Sequence, residues 1–280
     1  MGLEFFAAIF GMASAVSWGA ADFCGGVATR RSDVWRVLLV SQLIGTLLLI
    51  VPLWIWHEPF PGAAGMIWGA AGGACGFVGI TAFYIGLAKG RMGVVAPVAA
   101  VTTASLPVLA GAMLEGLPPA IKYVGFALGL ISIWLVSRSA GGKRVRLQKL
   151  GLPLLAGAAF GGFFIFLDQA ADTAVLWPLI AARAAALALI LITGLIFQKR
   201  LLPAMDQLPL IALTGLLDTG GNLFYMLAAR AGRLDVAAVL AALYPAATVI
   251  LARLVLKEFV NRWQLIGIVA ALGAVALIAT

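Results

Sequence analysis

Residues 37–56 read VLLVSQLIGTLLLIVPLWIW, a run in which no side chain is charged. An α-helix rises about 1.5 Å per residue, so about 20 mostly apolar residues are needed to cross the hydrocarbon core of a bilayer. The run meets that requirement. Residues 94–114 and 267–280 also lack charged side chains. Membrane-spanning character therefore extends over the whole chain and is not confined to one segment.

The overall composition leads to the same conclusion. Of the 280 residues, 63% are hydrophobic and 11% are charged, whereas soluble globular proteins carry about 25% charged residues. A soluble fold is excluded on that ground. The first apolar segment has no basic region before it, so we expect it to be retained as a helix and not cleaved as a signal peptide.

Apolar runs separated by charged or Pro- and Gly-rich breaks predict ten membrane-spanning helices. The predicted spans are residues 4–25, 34–56, 63–88, 92–114, 119–137, 150–170, 175–197, 207–229, 234–256 and 262–280. The one longer connection contains GGKRVR at residues 141–146 and divides the chain almost in half.

The two halves share landmarks at a nearly constant separation. FYIGLAKGR at residues 83–91 is echoed by FYMLAARAGR at residues 224–233, and each is followed by an apolar helix and an acidic stop. Further matches are Trp18-Gly19 with Phe160-Gly161, Tyr123-Val124-Gly125 with Leu265-Ile266-Gly267, and Leu114-Glu115 with Lys257-Glu258. Because the offsets cluster at 141–143 residues, we infer an internal duplication.

Each copy contains five predicted spans. Two tandem copies with an odd number of spans must be oppositely oriented in the membrane, as in many secondary transporters, whose substrate site lies near the midplane between the halves. The predicted fold is therefore all-α and integral to the membrane, with ten transmembrane helices forming two inverted five-helix repeats. Residues 1–140 form the first repeat, residues 141–149 a basic cytoplasmic linker, and residues 150–280 the second repeat.

The basic residues predict the orientation of the chain. Alternate short loops, including the linker at 141–149, hold 15 of the 19 lysines and arginines. The positive-inside rule places these loops in the cytoplasm and both termini on the external side of the cytoplasmic (inner) membrane. The net charge of +8 forms no separate domain. We assign it to contact with the anionic inner leaflet and expect no nucleic-acid partner.

Several landmarks together resemble an EamA-type repeat of the drug/metabolite transporter superfamily. They are Trp18-Gly19, Tyr84-x-x-Leu87-Ala88, Pro97, Pro107 and Leu114-Glu115 in the first copy, and Tyr225, Pro245 and Glu258 in the second. The resemblance covers about residues 5–10 to 137 and 151–280. It implies a ten-helix bundle around a central cavity that moves small organic metabolites or drugs. Many members are drawn with cytoplasmic termini, whereas the charges of this chain favour external ones.

Charged residues within the predicted spans identify a candidate site, because an ionisable group inside the membrane is costly and by default marks function or an ion pair. Asp218 lies near the middle of the eighth span, and Asn222 and Tyr225 share its helix face. Arg183 lies at a similar depth in the seventh span. Adjacent antiparallel helices can therefore bring Arg183 and Asp218 together.

Three roles remain open for this pair. It holds two helices in register, it binds the opposite charges of a zwitterionic substrate, or Asp218 carries a coupled proton. A carboxylate beside an arginine is a poor proton carrier at neutral pH, which disfavours the last role. Trp18, Tyr84 and Tyr244 are aromatic residues that either line the cavity or pack.

Other polar residues and the glycines have weaker signals. Asp22 and Asp168 lie near span ends and are expected to reach interfacial water, and Gln42 is mid-span without an identified partner. Small residues at three- and four-residue intervals predict close helix contacts. They are Gly69, Gly72, Gly73, Gly76 and Gly79 in the third span, and Gly215, Gly220 and Gly221 in the eighth.

The function that fits best is a secondary transporter for a small organic metabolite or drug, for example an exporter of amino-acid-like or cationic compounds. An intramembrane enzyme and a structural membrane subunit are the alternatives. No HExxH or catalytic pairing is recognisable, and His57 lies in a turn, so we expect no enzymatic activity, catalytic residue, metal or cofactor. The expected partners are a small-molecule substrate and the lipid bilayer, and both a monomer and a homodimer are compatible with the sequence.

Overall fold

The computed structural model describes residues 2–114, 119–136, 150–170, 174–231, 240–241 and 243–279, and within these ranges it contains ten long α-helices. They are α1 (Gly2–Arg31), α2 (Val34–Trp56), α3 (Gly62–Lys89), α4 (Met92–Leu114), α5 (Ala120–Val136), α6 (Gly151–Ala170), α7 (Leu176–Ile196), α8 (Leu208–Ala231), α9 (Tyr244–Val255) and α10 (Arg262–Ala279). Five of the described helices, α2, α3, α6, α7 and α8, are long and apolar enough to cross a membrane by themselves.

The predicted end of the first span is wrong by six residues. Gly25 and Gly26 favour a helix end, but α1 continues to Arg31. The helix tolerates both glycines because neighbouring side chains occupy the space: Tyr84 packs directly on Gly25, and Leu87 packs on Gly26. The backbone turns only at residues 32–33, where the Asp33 side chain accepts a hydrogen bond from the next helix.

The predicted ninth span is interrupted. Residues 240–241 are helical, but Leu243 is not, and α9 begins at Tyr244. Hydrogen bonds from Leu243 N–H to Leu240 O and from Ala246 N–H to Leu243 O span three residues instead of four. Pro245 has no N–H to continue an α-helical ladder, which explains the break. The first residues of this predicted span, 234–239, lie outside the described residues.

The glycines of α3 make the close helix contacts that their spacing predicts. Gly69 and Gly73 lie directly against the backbone of α7, at Pro178 and Ala182. The other members face aromatic residues of α6: Gly72 is next to Phe163 and Phe166, Gly76 to Phe163, and Gly79 to Phe160. Small residues allow this approach because they bring two backbones together without side chains between them.

These contacts recur in the second half of the chain. Gly79 of α3 packs on Phe160 of α6, and Gly221 of α8 packs on Trp18 of α1. The two contacts are equivalent, because Gly221 lies 142 positions after Gly79 and Phe160 lies 142 positions after Trp18. In the same way, Gly73 lies against the backbone of Ala182, and Gly215 lies against the backbone of Ser41. α3 therefore contacts α6 and α7 as α8 contacts α1 and α2.

Two glutamates in the connections cap helices of the opposite half. Glu58, which follows α2, accepts hydrogen bonds from the N–H groups of Val175, Leu176 and Trp177 at 2.7–3.2 Å. Glu258, which follows α9, accepts from the N–H groups at the start of α4 and forms an ion pair with Arg30 at 3.3 Å. Helix N-termini carry unsatisfied N–H groups and partial positive charge, so a carboxylate stabilises both.

Replacing Glu58 by alanine is expected to lower the free energy of unfolding by about 1 kcal/mol, the usual cost of a lost N-cap. Thermal unfolding in detergent measures the effect. Glu58→Gln keeps an acceptor oxygen and serves as the control, with a smaller decrease expected. A wild-type melting temperature for the alanine variant would contradict a capping role.

Candidate functional site

An ion pair joins α7 to α8 inside the bundle. Nη2 of Arg183 donates to Oδ2 of Asp218 at 2.6 Å, and Nη1 donates to Oε1 of Gln42, in α2, also at 2.6 Å. The contact agrees with the prediction that Arg183 and Asp218 lie at similar depths in adjacent spans. Gln42, for which the sequence indicated no partner, links a third helix to the pair.

The two members of the pair differ in exposure. The Arg183 side chain is 8% exposed, whereas that of Asp218 is 35% exposed. A Cβ atom at Gly45 would lie 2.6 Å from Nη1 of Arg183 and 2.7 Å from Oγ1 of Thr219, so a glycine at this position of α2 provides the space for the guanidinium. Arg183 is thus enclosed by α2 and α8, and the Asp218 carboxylate is the accessible member.

A small cavity lies beside the ion pair. Its lining comes from α2, α3 and α8: Ser41, Gln42, Ile80, Tyr84 and Asp218. Its volume is about 20 Å³, enough for about one water molecule. Binding pockets for organic ligands measure about 300–1,000 Å³. An organic solute therefore fits only after these helices move apart.

The remaining predicted site residues occupy two other places. Trp18 contacts Tyr225 at 5.9 Å between ring centroids and Tyr244, edge to face, at 6.4 Å, so three of the aromatics form one cluster between α1, α8 and α9. Asn222 donates from Nδ2 to the backbone oxygen of Asp218 at 2.8 Å. Its side chain thus bonds within α8 and does not contact the Asp218 carboxylate.

The predicted position of Asp22, near the end of the first span, is wrong. Because α1 continues to Arg31, Asp22 lies nine residues, or about 13 Å, before the helix end and not at its interfacial turn. Its carboxylate interacts electrostatically with Asp218. The available signal was the spacing of Trp18, Asp22 and Gly25, which places all three on one helix face. Asp168, by contrast, is exposed near the end of α6, as expected.

Comparison with known proteins decides the family. The model of the EamA-like transporter family matches residues 5–138 and again residues 149–280. The chain belongs to the EamA-like transporter family. This EamA-like protein is therefore a multi-pass membrane protein and a transporter of the drug/metabolite transporter superfamily, in agreement with the resemblance seen in its sequence.

Solved structures give this EamA-like protein a fold relative. One, described only as the crystal structure of a protein, superposes with a TM-score of 0.62 at 20% sequence identity and covers 97% of this chain and 95% of its own. At that identity the match shows the fold alone. No curated protein matches the sequence.

Proposed function

We propose that the protein is a secondary transporter that moves a small organic solute across the cytoplasmic membrane by alternating access. In this proposal the Asp218 carboxylate contacts a positively charged group of the solute. The observation that carries it is the unequal exposure of the ion pair: Arg183 is enclosed, and the carboxylate at 35% exposure faces the cavity. The exposure leaves the Asp218 carboxylate open to contact with a solute, whereas Arg183 has no such access.

The proposed mechanism uses ten spanning helices in two inverted repeats, residues 1–140 and 150–280. The positions of the connections support this arrangement. The end of α1, where the α1–α2 connection begins, contacts the connection between α7 and α8, because Gln207 Nε2 donates to Arg31 O at 3.1 Å. The connection between α2 and α3, at the other end of α2, contacts the start of α7 through Glu58. The α1–α2 connection and its counterpart before α7 thus lie at opposite ends, as inversion requires.

We propose further that the end carrying Arg30, Arg31 and Arg36 is cytoplasmic and that both termini are external, since basic residues concentrate in cytoplasmic loops. A reporter fused after residue 280 is then expected to be active outside the cytoplasm, and one inserted in residues 141–149 to be active inside. An external linker would reverse the orientation but would leave the inverted arrangement intact.

The transport proposal is tested by ligand-dependent unfolding of the purified protein. A compound that binds only the folded state raises its melting temperature, by an amount that grows with concentration. A panel of amino acids, amines and quaternary ammonium compounds is the appropriate screen. Compounds that raise the melting temperature are then measured for uptake into proteoliposomes. Wild-type uptake by Asp218→Asn liposomes would contradict the assigned contact.

A further inference from the structure

We propose that Asp22 is a second substrate-binding carboxylate and that the site takes a monovalent organic cation instead of a zwitterion. The proposal rests on the transport function above. It also assigns a role to a residue that the sequence placed at the membrane interface. Three observations carry it: the helix face on which Asp22 lies, the charges around it, and the enclosure of Arg183.

The face of α1 that bears Asp22 points into the candidate site. Trp18, four residues earlier, packs on Tyr225 and Tyr244. Gly25, three residues later, lies directly against the ring of Tyr84. Residues separated by three or four positions are neighbours on one helix face. Asp22 therefore lies between the aromatic cluster and Tyr84, which lines the cavity together with Asp218.

The electrostatic interactions of Asp22 also place it beside the aromatic cluster and Tyr84. Its carboxylate interacts with Asp218, with Tyr84 and with Tyr244. In the part of the chain that the structure describes, the ion pairs join Arg30 to Glu258, Arg183 to Asp218 and Lys199 to Asp33, and none of them includes Asp22. Arg183 and Asp218 neutralise each other, so Asp22 is a carboxyl group at this depth for which the described residues supply no basic partner.

Arg183 is not available to a substrate. Both of its terminal nitrogens already donate, to Gln42 and to Asp218, and its side chain is 8% exposed. A zwitterion would bring a carboxylate to two carboxyl groups, and among the described residues of the site the one basic side chain, Arg183, is already paired. A monovalent cation would instead give Asp22 the positively charged partner that the described residues do not supply. The rings of Trp18, Tyr225 and Tyr244 suit such a ligand, because aromatic faces attract organic cations, quaternary ammonium groups included.

The test uses two matched sets of probes with the full-length protein in detergent. Choline, its neutral analogue 3,3-dimethyl-1-butanol and the zwitterion glycine betaine share one bulky head. Phenethylamine, 2-phenylethanol and phenylalanine share one phenyl group. We expect at least one of the two cations to raise the melting temperature more than its neutral and zwitterionic counterparts do.

The variant Asp22→Asn is then expected to weaken binding of that cation about tenfold or more, because it removes one of the two attracting charges. The ligand-free melting temperature should not fall, since the substitution removes a carboxyl group that has no basic partner among the described residues. Asp168→Asn, the same change at an exposed position of α6, is the control and should bind the cation as the wild type does.

Three results would overturn the proposal: unchanged cation affinity in Asp22→Asn, equal or tighter binding of the zwitterions, or no preference for the cation in either set. A zwitterion whose binding depends on Asp218 and not on Asp22 would overturn this inference and leave the proposed transport function standing. Loss of all transport in proteoliposomes of the wild type would instead count against the transport function itself.

Discussion

Asp218→Asn is expected to abolish transport while the yield of folded protein stays close to that of the wild type. The substitution removes the charge that meets the substrate but keeps a side-chain oxygen that accepts from Nη2 of Arg183. Removing one member of a fully buried ion pair leaves the other charge unpaired and lowers stability by about 3–5 kcal/mol. Here the cost is smaller, because the Asp218 side chain is 35% exposed and solvent screens the pair. Uptake into proteoliposomes and the melting temperature measure the two effects.

The double variant Asp218→Asn with Arg183→Gln separates a binding role from a purely structural one. If the pair only joined α7 to α8, the single variant would lose stability, and the double variant would recover both stability and transport. If Asp218 binds the substrate, neither variant transports, however stable it is. Recovery of transport in the double variant would therefore refute the assignment of Asp218.

Gly73→Val is expected to prevent α3 and α7 from packing and to reduce the amount of folded protein severely. A Cβ atom at Gly73 would overlap the backbone of Ala182, and a backbone cannot rotate away as a side chain can. Overpacking costs about 1–3 kcal/mol and sometimes more, and we expect this position to lie at or above the upper end. Fluorescence-detected size-exclusion chromatography and thermal unfolding measure the outcome.

The neighbouring Gly72 provides a matched control in the same helix turn. A Cβ atom there would have its nearest contacts at 3.4 Å, with Phe163 O, and 3.5 Å, with Phe166 Cβ, which are ordinary van der Waals distances. Gly72→Ala should therefore fold like the wild type, whereas Gly73→Ala should already be destabilised. Equal behaviour of the two alanine variants would show that the close approach of α3 and α7 is not required for folding.

Local sequence patterns predicted much of the helical arrangement, because span length, uncharged runs and glycine spacing are properties of single segments. Eight of the ten described helices begin and end within two residues of their predicted limits. The two failures have different causes, one tertiary and one local. α1 extends past Gly25 because Tyr84 packs there, and α9 starts late because Pro245 interrupts the backbone ladder before it.

The candidate site was predictable in one part and hidden in another. Arg183 and Asp218 could be paired because helix rise converts position into depth. The hydrogen bond between Gln42 and Arg183 joins α2 to α7. The interaction between Asp22 and Asp218 joins α1 to α8. Which non-neighbouring helices meet is set by packing of the whole bundle, so no single segment contains that information.

The capping of α4 by Glu258 has a consequence for the synthesis of the chain. The capping carboxylate lies 166 residues after Met92. At about 5–20 residues per second, the ribosome reaches it roughly 8–33 s after the start of α4. During that interval the first N–H groups of α4 have water or lipid headgroups as partners. α7 is in the opposite situation, since Glu58 has already been synthesised when Leu176 leaves the ribosome. A newly made first half therefore waits for the last part of the chain, whereas the second half finds its cap already in place.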